Sequence, residues 1–103
     1  MMDVALLRSI ASQLMTMPEV EVGGQRVRVQ RTSLRHLKTV TFAMNGREYM
    51  AIEQNPDKPS LWGKLARKGH QVVQFKDIKT NRFVAVVVDE EVKVYGEMAR
   101  RTA

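Results

Sequence analysis

The chain has 103 residues, a formal net charge of +6 at pH 7, 44% hydrophobic and 27% charged residues, and no cysteine. That length fits one domain, residues 1–103, with one core. The missing cysteines exclude disulfide staples, thiolate nucleophiles and sulfur-ligated metal. No apolar run approaches the roughly 20 residues of a membrane-spanning helix, so the expected setting is the cytoplasm, without a membrane partner.

Asp3 precedes an apolar run in which Leu6, Leu7, Ile10, Leu14 and Met17 recur at three- and four-residue steps before Pro18. The spacing predicts a helix capped by Asp3. Only Arg8 is charged between residues 4 and 17, so this helix needs a broad apolar surface to lie on. After Gly23-Gly24, the alternation Arg26-Val27-Arg28-Val29-Gln30 predicts a strand with its valines inward and its arginines on the opposite face.

Lys38 to Gln54 reads as a hairpin around Asn45-Gly46. A three-residue loop, Met44-Asn45-Gly46, pairs Val40 with Met50 and Lys38 with Ile52. It gathers Val40, Phe42, Met50 and Ile52 on one face, and Thr39, Thr41, Tyr49 and Ala51 on the other. A two-residue turn would pair Phe42 with Tyr49 and mix polar with apolar residues on both faces, so the first register is expected.

The two prolines in Asn55-Pro56-Asp57-Lys58-Pro59-Ser60 stop any central strand, and Asp57 or Ser60 can cap a following helix. Leu61, Trp62, Leu65 and Ala66 form its apolar stripe, Lys64, Arg67 and Lys68 its wet side, and Gly69 ends it. Residues 71 to 95 predict three strands, Gln71 to Lys76, Arg82 to Val88 and Val92 to Tyr95. Pairing Val88 with Val92 puts Val84, Val86, Val88, Val92 and Val94 on one face. The other holds Phe83, Ala85 and Val87, joined by Val72 and Tyr95, so cover is expected on both sides. Residues 97–103 read as a frayed tail.

The predicted fold is a single α+β domain in the order α-β-β-β-α-β-β-β, with two helices packed on a mostly antiparallel sheet of about six strands. Its first five elements share their order with double-stranded-RNA-binding domains. However, no lysine cluster opens the second helix and three further strands have no place in that fold, so order alone carries no function across.

Nine of the seventeen basic residues fall in two acid-free segments: Arg26, Arg28, Arg31, Arg35 and Lys38, then Lys58, Lys64, Arg67 and Lys68. Clustered cations attract phosphate. The first candidate surface is the strand face of Arg26, Arg28, Thr39 and Thr41 with Tyr49, where arginines meet phosphates and the ring stacks on a base, and Arg31 is counted among the nucleic-acid-binding residues beside it. The second is the basic helix side of Lys58, Lys64, Arg67 and Lys68, with His70, which can follow a backbone without reading bases. Both also fit solvated faces, and Arg67 and Lys68 complement a helix C-terminus.

No catalytic or metal-binding signature is present. His36 and His70 lack ligand spacing, Ser60 serves as a cap, and Gly23-Gly24 precedes a strand where a phosphate loop would open a helix. The expectation is therefore a non-enzymatic nucleic-acid-binding module, for DNA or RNA, without cofactor or strong sequence specificity. The alternative is a structural or protein-interaction homodimer joined through Phe83, Val87 and Tyr95, or through the N-terminal helix.

Overall fold

In a computed structural model, residues 3–16, 19–22, 25–28, 30–31, 38–44, 46–54, 56–57 and 59–95 are described, with the backbone alone for residues 15, 16, 22, 25–28, 30 and 31. Helix α1 (Val4–Thr16) is followed by β1 (Glu19–Val22), β2 (Gln25–Arg28), β3 (Gln30–Arg31), β4 (Lys38–Met44) and β5 (Arg47–Glu53). Then come α2 (Leu61–Arg67), β6 (Val72–Asp77), β7 (Arg82–Val88) and β8 (Glu91–Val94). The α+β class holds, with antiparallel strands in the order β3-β4-β5-β6-β7-β8. Strands β1 and β2 form a separate antiparallel pair. The predicted strand at Arg26–Gln30 is thus divided: its first part pairs with the unforeseen β1, and β3 adds to the large sheet. The predicted tail, residues 97–103, lies outside the described residues.

Helix α1 forms as its spacing requires. The Asp3 carboxylate accepts the Leu6 amide at 3.1 Å, which caps the first turn. Leu7, Ile10, Ala11 and Leu14 are buried against Val40, Phe42, Tyr49, Ala51, Val73, Phe75, Ala85 and Val87. Gln13 fastens β1 to the helix, its side-chain oxygen accepting the Glu21 amide at 2.8 Å.

The hairpin register differs from the expected one. Phe42 pairs with Tyr49, Val40 with Ala51 and Met44 with Arg47, so two residues separate the strands, the second being Gly46 at φ 76°. Tyr49 therefore lies in the core, only 5% exposed, its ring centroid 5.9 Å from that of Phe42. Met50 and Ile52 turn to the other side with Thr39 and Thr41. Sorting apolar from polar residues misled because both faces of this sheet receive cover, and Met50 and Ile52 are half-buried where they are.

A one-residue error of the same kind affects the last hairpin. Val88 pairs with Glu91 and Val87 with Val92, across a two-residue turn whose first residue, Asp89, has φ 57°. Ala85, Val87, Val92 and Val94 consequently face α1, while Val86, Val88 and Lys93 face away. A bulge between Phe75 and Lys76 interrupts the alternation further: Phe75 pairs with Ala85 but Lys76 with Phe83. Val84 is the extra residue and packs on the α1-side core, which sends Phe83 to the opposite face.

On that opposite face Val72 and Val86 are buried, on the side where α2 packs against β6. Ser60 caps α2, its hydroxyl accepting the Gly63 amide at 3.2 Å. The C-terminus closes with a Schellman motif: Gly69, at φ 95°, donates to the Ala66 carbonyl and His70 to that of Leu65. Trp62 hydrogen-bonds the Tyr95 hydroxyl; burial raises the pKa of that phenol and the bond opposes the rise.

The observed register can be tested by paired substitutions. Tyr49→Ala is expected to lower unfolding free energy by about 3 kcal/mol or more, and Thr41→Ala by about 0.5 kcal/mol or less, measured by urea denaturation. Equal small losses would return Tyr49 to the same exposed face as Thr41.

Candidate nucleic-acid interface

The register aligns one row of side chains across four strands: Thr41 opposite Met50, Met50 opposite Lys76, and Lys76 opposite Phe83. All four point away from α1. Thr41 is exposed, Met50 and Lys76 are half-buried, and Phe83 is 44% exposed. The Lys76 ammonium lies 5.6 Å from the centroid of the Phe83 ring, within the range of a cation–π contact. The next row, Thr39, Ile52, Gln74 and Val86, runs toward α2. Helix α2 thus covers one end of this face and leaves the Phe83 row open.

Beyond the row, Asp77 turns back into the protein and is 3% exposed. Its carboxylate accepts the amides of Lys79 at 2.9 Å and Thr80 at 3.2 Å and pairs with Arg47 at 3.3 Å. These partners satisfy a buried charge that would otherwise be costly, and they fix the turn that leads into Phe83.

The predicted site residues separate. Tyr49 is removed from the strand-face candidate by its burial. The arginine side chains at 26, 28 and 31 lie outside the described residues, as do Arg35, His36 and Lys58 altogether. Lys64, Arg67 and Lys68 are exposed on α2, on the same side of the sheet as Phe83. Arg67 is engaged locally, donating to the Pro56 carbonyl. The self-association surface is also divided: Val87 is buried beneath α1 at 1% exposure, whereas Phe83 faces the other way.

His70 belongs to a different feature. Its Nδ1 lies 2.9 Å from an Asp89 carboxylate oxygen, whose second oxygen accepts the Gln71 amide at 3.0 Å. The His70 bond, and then the Gln71 amide, hold the Asp89 carboxyl below its ordinary pKa. Arg8 donates from Nε to the Glu90 carbonyl at 2.8 Å. The cleft between them, of about 650 Å³, is lined by Arg8 and His70 as well as by Asp89, Glu90 and Glu91, a mixed charge pattern. Among the described residues no group of three or more His, Asp or Glu side chains could hold a metal ion.

The sequence pattern put Phe83 with Val87 on a self-association face and did not single out Lys76, because Arg82 to Val88 shows no sign of a bulge and an unbroken alternation places the two residues on one side. Comparison with protein families, curated proteins and solved structures finds no match for this chain.

The lowered Asp89 pKa sets a pH dependence. Its stabilising contribution is complete above the ordinary carboxylate range and is lost as pH falls through the lowered value. The gap in urea midpoint between the unmodified protein and Asp89→Asn is expected to close over that acid interval; a gap constant with pH would contradict the pairing.

Proposed function

We propose that this chain is a non-enzymatic nucleic-acid-binding module of low sequence specificity, acting through the open half of the sheet and the basic side of α2. The reading rests on one observation: an exposed aromatic ring, Phe83, beside a lysine on an uncovered sheet face. A ring so placed can stack on any base, since every base has a π-face. Lys76, Lys64 and Lys68 then supply phosphate contacts on the same side of the protein.

Phe83 takes the role first expected of Tyr49. A single ring accounts for the low specificity, because backbone contacts and stacking carry little sequence information. The net charge of +6 favours encounter with any polyanion, in a salt-dependent manner. No helix of the described residues is long and apolar enough to cross a membrane. We place the protein in the cytoplasm, a setting that a chain without cysteine suits.

Titration of short single-stranded oligonucleotides at two salt concentrations tests this reading. Phe83→Ala is expected to weaken binding by about tenfold, as loss of a stacked base does. The Lys64→Ala, Lys68→Ala double variant is expected to reduce the slope of log affinity against log salt by about 1.4 for a single strand. No retention at low salt, or binding that neither change alters, would refute the assignment.

A further inference from the structure

Strand β8 ends the six-stranded sheet, and among the described residues it pairs with β7 alone. The direction of its backbone groups follows from the neighbouring pair. Asp89 donates its amide to the Gln71 carbonyl at 2.8 Å, so Val72 and Val88 are opposite residues that do not bond each other. The amide groups of Val88 therefore turn toward β8 and engage Glu91. Continued alternation bonds Lys93 to Val86 and directs the N–H and C=O groups of Val92 and Val94 outward. Such an edge is a template for another strand.

We propose that β8 pairs antiparallel with β8 of a second copy of this chain, across a two-fold axis at Val92, joining two sheets into one. Outward groups must meet outward groups, so the axis can fall at Val92, Lys93 or Val94. An axis at Lys93 sets that lysine against itself, and one at Val94 carries the pairing beyond the end of β8. The axis at Val92 sets Glu91 opposite Lys93 of the second copy, twice over by symmetry. These are non-hydrogen-bonded positions, where side chains approach closest, and opposite charges facing there are stabilising. Both residues are exposed. Half-buried Val92 meets its counterpart on the α1 side. A lysine on a sheet edge ordinarily discourages strand addition; Glu91 two residues before it makes this edge complementary to itself.

The inference is independent of nucleic-acid binding and concerns a different edge of the protein. Sedimentation equilibrium over a concentration series on the full chain tests it, with circular dichroism to confirm that each variant is folded. Glu91→Lys and Lys93→Glu are each expected to weaken dimerisation by roughly tenfold, because each replaces two attractive cross-strand pairs by repulsive ones. The double swap, Glu91→Lys with Lys93→Glu, is expected to restore it. A monomer at every concentration, a dimer that neither single change weakens, or a double swap no tighter than the single variants would overturn the proposal.

Discussion

A sheet with apolar residues on both faces needs cover on both, and among the described residues α1 and α2, of unequal length, supply it. Helix α1 has thirteen residues and α2 seven. At 1.5 Å per residue α2 is about 10 Å long, whereas a seven-residue strand such as β4 or β7 spans roughly 23 Å. The longer helix closes one face over a continuous core. The shorter one shields Val72 and Val86 and leaves the far end of the other face open, and Phe83 stands on that open end.

Two local devices place Phe83 there. The bulge at Val84 turns Val84 and Ala85 toward α1 and reverses the ring that precedes them. Asp77 then anchors the turn before it, through the amides of Lys79 and Thr80 and the guanidinium of Arg47. A buried carboxylate with several partners holds a backbone path firmly, since release of any partner leaves a desolvated charge. The exposed ring is thus presented from a fixed strand end, an arrangement suited to a contact surface.

Much of the architecture was legible in the sequence. The α1 stripe from Leu7 to Leu14, the Asp3 and Ser60 caps, and Gly69 at the end of α2 all follow from local chemistry that tertiary context did not override. Faces and registers were harder to read. In both the Asn45-Gly46 and the Asp89-Glu90 hairpins the chain takes the two-residue turn, and sorting residues by polarity misplaces Tyr49, Val92 and Val94 because the sheet is partly buried on both sides. Polarity sets register only where one face is wet. The bulge could not be read at all, since Phe83-Val84-Ala85-Val86-Val87 offers no glycine or polar break to mark it. The basic residues of α2 were found correctly as an exposed group, but the aromatic ring on their side of the sheet was not the one expected.

The central claim is that the uncovered half of the sheet, together with the basic side of α2, receives a nucleic-acid ligand. Backbone amide chemical-shift mapping during addition of a short single-stranded oligonucleotide tests it most directly. The account predicts that the largest shifts cluster at Thr41, Met50, Lys76 and Phe83 and extend to Lys64 and Lys68 of α2. Shifts centred on α1 and the Asp89-Glu90 turn, or no shifts at low salt, would contradict it.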